Sequence, residues 1–302
     1  MTTQKKTKMD WEGDQLAQQK AGYLADAITG RRRLRQPIDP FAIALDESPF
    51  LKVGGRDFGE RFDGKLRYDS AKRRFGLMYN TKYDAGLPPG EHNPRTRFSV
   101  AHELGHYFIE HHHAYYTHGG KTHASINEFR SGVTIEREAD AFAASLLLPS
   151  HLVSPIINRQ QLSIEKIHEI AREFQTSRLS TAIRCVQLSH FHSAIAGIRE
   201  GAIAWMFPSS ALKDSKIYRR SGHLPEGAYQ PWFEFNMGNG KPLQRDGHAT
   251  DWFAVYDERL EDQYVTEAYL PVKKLGTLLV LLTFDEQAMF PEGEESYDRY
   301  DN

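Results

Sequence analysis

The sequence predicts an α+β protein, and three observations carry that expectation. Helical periodicity dominates most of the chain as far as about residue 189. Residues 49–92 lack it and hold two short strand-like segments, 64–68 and 74–79. After His190 the pattern changes to alternating or continuously apolar runs separated by glycine, proline and charged loops, as in a small sheet.

In chain order, residues 1–10 are polar, and Trp11 to Thr29 carries helix formers with apolar positions at Leu16, Tyr23, Leu24 and Ile28 before Gly30 ends it. The basic run Arg31, Arg32, Arg33 and Arg35 reads as a solvated helix end, where cations meet the negative pole, rather than as a nucleic-acid contact. Asp39-Pro40 is a cap followed by a helix start. Gly64–Tyr68 and Arg74–Tyr79 read as strands around Asp69-Ser70-Ala71-Lys72. Pro88, Pro89, Gly90 and Pro94 make a loop, and a helix opens near Thr96 and runs through Phe98, Val100, Ala101, Leu104 and Phe108. Residues 111–132 are polar, rich in histidine and expected as a long loop or flap. A second helix covers about 135–147 and stops at Pro149, and a shorter one starts at Pro155. Ser163 is the expected cap of a helix over 164–174, and Ser180 of one running through Val186. That pair has the outline of a helix-turn-helix, but its mixed acidic and basic residues argue for packed helices over a DNA reader. Ser193–Ile198 and Ala202–Phe207 form an expected hairpin about Arg199-Glu200-Gly201, with later strands at Trp232–Phe235, Trp252–Tyr256 and Leu275–Thr283. The last 18 residues, 285–302, carry seven acids against one arginine and read as a solvated acidic end.

Composition narrows the class. The chain has 302 residues, 40% hydrophobic and 26% charged, which is too apolar for a disordered protein. A net charge of -2 gives no electrostatic warrant for a nucleic-acid protein. The single cysteine, Cys185, excludes a disulfide framework and a Cys-rich zinc module, and is in keeping with a reducing compartment. The first residues lack the apolar core of a secretory signal, and the apolar run near Leu275–Leu282 is too short to span a bilayer. A cytoplasmic protein with no membrane partner is expected. Histidine stands out, since seven of the 14 lie between His102 and His123.

The strongest chemical signal is His102-Glu103-Leu104-Gly105-His106. Residues four apart on a helix share a face, so His102 and His106 can present two imidazoles to one ion. Glu103 is placed to reach a metal-bound water rather than the metal. Zinc would bring the pKa of that water toward neutrality, and a carboxylate beside it can take the proton and later deliver it to the leaving amine. The third ligand is expected from the second helix, where Glu136 and Asp140 are four apart on one face. Glu136 can close a His-His-Glu set with water in the fourth position. Asp140, one turn on, can accept the outer N–H of a ligand histidine and fix its ring. Glu138 is the rival ligand, about 160° round the helix from Asp140, and is expected on the surface. His112 is another candidate, at the spacing of His-Glu-x-x-His-x-x-Gly-x-x-His, but Ile109 stands where that pattern needs a chain-breaking glycine. His111, His113, His118 and His123 are expected in loops or a cleft, where one of them, Tyr115 or Tyr116 could stabilise an oxyanion.

Together these residues resemble the ImmA/IrrE family of zinc metallopeptidases. The likeness runs through Arg95-Thr96-Arg97-Phe98-Ser99-Val100-Ala101-His102-Glu103-Leu104-Gly105-His106, then Glu136-Arg137-Glu138-Ala139-Asp140-Ala141-Phe142-Ala143 and Leu146-Leu147-Leu148-Pro149. It is clear over roughly residues 60–190. The resemblance implies a zincin-like core with zinc held by His102, His106 and Glu136, Glu103 as general base and Asp140 behind the ligands. It also implies an intracellular protein of bacterial stress responses or mobile elements, cutting a protein such as a DNA-binding repressor. The C-terminal layout resembles the GAF-like sensor region of the radiation-response branch.

The expected organisation is an N-terminal helix and linker over 1–40, a zincin-like metallopeptidase domain over 41–189, a regulatory or docking domain over 190–290 and an acidic tail over 291–302. The expected function is a zinc-dependent endopeptidase acting on a cytoplasmic protein. The alternatives are a zinc-containing binding module without catalysis and a DNA-binding transcriptional regulator. Direct nucleic-acid binding is not expected, and the sequence specifies no oligomeric state.

Overall fold

The structure is a computed structural model that describes residues 8–119, 134–215, 217–219, 224–255 and 263–285. The expected histidine-rich segment beyond Gly119, with His123, and the acidic tail over 291–302 lie outside the described residues. The chain is α+β. Its contacts divide it into two units, residues 1–152 with 170–180, and residues 153–169 with 181–302.

The elements belonging wholly to the first unit are α1 (Lys8–Arg31), α2 (Pro40–Asp46), β1 (Leu51–Arg56), β2 (Gly64–Asp69), β3 (Arg74–Asn80), α3 (Pro94–Phe108), α4 (Glu110–Thr117) and α5 (Thr134–Leu147). The Asp39 carboxylate accepts the N–H groups of Phe41 and Ala42, so α2 begins at Pro40 as its sequence predicts. The three strands lie in the order β1-β3-β2, with β1 parallel and β2 antiparallel to β3. Sequence pattern finds the β2–β3 hairpin but not β1. That strand, Leu-Lys-Val-Gly-Gly-Arg, buries only Leu51 fully and lacks a regular alternation.

Apolar residues of these elements form one core: Ala21 and Ala25 of α1, Leu66 and Leu77 of the sheet, Val100 and Leu104 of α3, and Phe142, Ala143 and Leu146 of α5. The N-terminus of α3 is anchored from outside the helix. Asp84 accepts the Asn93 N–H at 2.8 Å and the Thr96 hydroxyl at 2.7 Å. Asp63, buried at the end of the loop before β2, receives Arg95 through Nε at 3.0 Å and Nη2 at 2.7 Å. At the start of α5, Asp14 of α1 accepts the Thr134 hydroxyl at 2.8 Å and pairs with Arg137 at 2.9 Å.

Three further helices follow, α6 (Ser150–Ile157), α7 (Ile164–Glu173) and α8 (Arg178–Leu188). α6 starts five residues before Pro155, not at it, because Asp26 takes both the backbone N–H and the hydroxyl of Ser150 and so supplies the cap. The α8 cap is Ser177, whose hydroxyl accepts the Ser180 N–H at 3.1 Å, rather than Ser180 itself. Ser163 accepts the Lys166 N–H as expected.

The second unit holds β4 (Ser193–Arg199), β5 (Ala202–Pro208), α9 (Ser210–Asp214), β6 (Ile217–Arg219), α10 (Tyr229–Asn236), β7 (Leu243–His248), α11 (Ala249–Trp252), β8 (Phe253–Val255), β9 (Tyr264–Val272) and β10 (Thr277–Phe284). Five strands make an antiparallel sheet in the order β5-β4-β10-β9-β7, and β6 pairs with β8. The hairpin over 193–208 is present as predicted, and every residue of β10 is buried at the sheet centre. Trp232–Phe235 is helical, not a strand. Its buried neighbours Pro231 and Phe235 are four apart on one face of α10, a period that a short aromatic run conceals. The predicted strand at Trp252–Tyr256 is shorter at its start, since Trp252 closes α11.

Among the described residues no single helix is long and apolar enough to cross a membrane.

Candidate metal centre

The site lies where α3 and α5 cross, and Gly105 makes the crossing close. A Cβ at position 105 would sit 3.1 Å from the Ala139 Cα and 3.2 Å from the Phe142 Cβ. Within a turn of that contact, the helices present their polar groups to each other. His102 and His106 are buried on α3 and bring their Nε2 atoms to 3.1 Å. Glu136 of α5 reaches both, with Oε2 3.2 Å from His102 Nε2 and Oε1 3.5 Å from His106 Nε2. Glu136 Oε1 is buried without a hydrogen-bond partner.

These features fit a metal. Two imidazole nitrogens facing each other at this distance need a cation between them, or a proton on one of them. The spacing suits two donors of one tetrahedral ion with metal–nitrogen bonds of roughly 2.0–2.1 Å. Nitrogen and carboxylate donors without thiolate also suit zinc. His102, His106 and Glu136 form one of two described groups able to hold an ion, the other being His111, His112 and Glu138.

Asp140, one turn after Glu136, stands 2.8 Å from His102 Nδ1. It is therefore placed to accept the outer N–H and fix the ring with Nε2 turned inward. In the metal-free protein, burial opposes the charged form of His102. Hydrogen bonds to the Asp140 and Glu136 carboxylates outweigh burial and push its pKa up to about 10. Burial also works against ionised Glu136, but its contacts with His102 and His106 hold its pKa well below the usual carboxylate range.

Glu103, next to His102 on α3, is buried at 1% exposure. Its carboxylate lies against the first residue of β2, where a Cβ on Gly64 would come within 2.7 Å of Oε1. Gly64 thus leaves the space that Glu103 fills. Sequence pattern identifies Gly64 only as a strand start, because the close approach is between segments 39 residues apart.

The rest of the histidine cluster differs from its sequence expectation. Residues 110–117 are helical, and the buried residues of α4, His112 and Tyr116, are four apart. A helix whose inward face carries histidine and tyrosine shows no apolar period, so the segment reads as a loop. Glu138 is buried, not on the surface, and pairs with His111 Nε2 at 2.9 Å. Burial raises its pKa. His112 is fully buried, and burial followed by the neighbouring His106 and His111 pushes its pKa down to about 3. It does not join Glu136 around the inward nitrogens; its Nδ1 meets the outer nitrogen of His106, Nδ1, at 3.1 Å. His113 Nδ1 bonds the Tyr107 carbonyl at 2.9 Å and its ring leans on Phe75. His118 Nδ1 bonds the Ala114 carbonyl at 2.7 Å at the end of α4. Tyr116 is buried beside His106, while Tyr115 is exposed. A cavity of about 340 Å³ between α1 and the start of α4 opens on His111 and Glu138, and none of His102, His106 or Glu136 lines it.

Comparison with known proteins matches residues 65–186 to the peptidase family described as the IrrE N-terminal-like domain. That span includes both helices of the site. No curated protein matches the chain at the significance required. Among solved structures, a Mycobacterium tuberculosis transcriptional regulator superposes with a TM-score of 0.52 at 12% identity, over 87% of this chain and 75% of that one. At that identity the likeness is one of fold. The sequence match, spanning the two helices that bring His102, His106, Glu136 and Asp140 together, supports an ImmA/IrrE assignment for residues 65–186.

Proposed function

We propose that the chain is a zinc-dependent endopeptidase acting inside the cell on a protein substrate, a DNA-binding repressor being the candidate the family resemblance suggests. The observation that supports this most is the approach of His102 Nε2, His106 Nε2 and Glu136 to within 3.1–3.5 Å, with buried Glu103 on the same helix. His102, His106 and Glu136 would hold the ion. A zinc ion there supplies Lewis acidity toward a scissile carbonyl and lowers the pKa of water. Glu103 accepts the proton from the attacking water and donates it to the departing amine. Asp140 holds His102 in the tautomer that turns Nε2 inward. The sheet-rich residues 190–290 would dock the substrate or sense the signal, in the manner of a GAF-like domain.

The test is proteolysis in a native proteome. Zinc-loaded protein and its Glu103→Gln variant are each incubated with extract of the source cell, and new N-termini are labelled. Cut sites made by the parent and missing with the variant support the reading. Identical patterns from the two proteins, with zinc equally bound, would overturn Glu103 as the base. No new N-termini from either would favour a zinc-containing binding module.

A further inference from the structure

The ligand histidines are supported differently, and proton counting gives His112 a role. His102 has a carboxylate behind it, Asp140 at 2.8 Å from Nδ1. Behind His106 stands a second histidine, with Nδ1 of His106 and Nδ1 of His112 3.1 Å apart. A neutral imidazole has one N–H and one lone pair. If Nε2 of His106 gives its lone pair to a metal, its proton is on Nδ1, and that N–H must donate. His112 Nδ1 must then accept, so the proton of neutral His112 is on Nε2. That Nε2 is buried without a hydrogen bond and faces Glu138 Oε2 at 3.4 Å.

We infer that His112, backed by Glu138, is the positioning residue for His106, accepting its outer N–H as Asp140 accepts that of His102. The inference rests on His106 being a metal ligand, as the proposed function has it. It also resolves the competition between the two possible metal groups. Binding an ion through His111, His112 and Glu138 would require the lone pair of His112 Nε2. That would put the His112 proton on Nδ1, against the N–H of a metal-bound His106. With neutral rings the two groups cannot be filled at once, and α4 serves the first site rather than making a second.

The experiment combines zinc affinity with tautomer state. Competition against a chelator is measured for the parent, His112→Phe and His112→Asn proteins. Phenylalanine keeps a planar aromatic ring, somewhat larger, but removes the acceptor, and should weaken zinc roughly 10–100-fold, the scale for lost outer partners of metal ligands. Asparagine can place an oxygen near the former Nδ1 and should recover much of that loss. In parallel, ¹⁵N-resolved NMR of the histidine rings in the zinc-loaded parent should show His106 protonated on Nδ1 and His112 on Nε2. Zinc bound with His112 protonated on Nδ1, or two zinc ions per chain, would overturn this inference while leaving the endopeptidase reading intact. Equal affinities for parent and His112→Phe would also overturn it alone. Failure of the parent to bind zinc would overturn both.

Discussion

In the proposed mechanism, position 103 separates catalysis from metal binding. Glutamine there keeps the side-chain shape but cannot serve as a carboxylate base. Glu103→Gln should therefore keep about one zinc per chain while cleavage falls roughly 10²–10⁴-fold. Gly64→Ala should affect the same step from the other side, because its methyl would meet the Glu103 carboxylate at 2.7 Å. Reduced turnover at unchanged zinc affinity is expected, and a parent-like rate would show that the Glu103 carboxylate tolerates displacement. Asp140→Asn should weaken zinc binding or turnover roughly 10–100-fold, with the fold retained by circular dichroism. His102 adds a pH effect. Its pKa in the metal-free fold, about 10, lies above its ordinary 6.5. Its charged form thus stabilises the fold fully below the ordinary value, and that contribution is lost as pH rises through about 10. With that value the ring is doubly protonated at neutral pH, and zinc binding at Nε2, as proposed, would release one proton. Calorimetric titration with zinc in buffers of different ionisation heat should therefore report proton release, and buffer-independent heats would contradict it.

At the scale of elements, the α3–α5 crossing sets the separation of the proposed ligands. Gly105→Ala adds a methyl against the Ala139 backbone at 3.1 Å. The helices must give by a few tenths of an ångström, so zinc affinity should fall on the order of tenfold, about 1.4 kcal/mol, without loss of helix content. Chelator competition measures this, and unchanged affinity would show that the crossing relaxes elsewhere. The same scale shows what a single sequence discloses. α3 and α5 are legible because apolar residues recur at helical spacing and the polar exceptions, His102, His106, Glu136 and Asp140, recur at four. α4 is not, because histidine and tyrosine make its buried face. The burial of Glu138 is hidden for a related reason: it depends on α4 covering it, a contact that no local period encodes. α10 is misread because four residues of an aromatic-rich helix look like a strand.

Over the whole molecule, the two units have separate apolar cores, one around Leu104 and Phe142 and the other around Trp252 and Val280. All three proposed ligands belong to the first. We therefore expect two calorimetric unfolding transitions, only one of which zinc raises. Zinc at about 100 times its dissociation constant should stabilise that unit by about 2.7 kcal/mol. A single transition that moves as a whole would show that the units unfold together. The sequence pattern changes near His190, where helical periods give way to strands, and β4 begins at Ser193. The exchange of residues between units, with 153–169 grouping with the later part and 170–180 with the earlier, follows from tertiary contacts that pattern does not carry.

In the proposed site, one metal is held by His102, His106 and Glu136. Elemental analysis of zinc per chain, after mild purification of the parent, Glu136→Ala and His111→Ala proteins, tests this assignment. About one zinc in the parent, a matching value in His111→Ala and loss in Glu136→Ala is the result expected. Retention in Glu136→Ala with loss in His111→Ala would contradict it and move the ion to the group around Glu138.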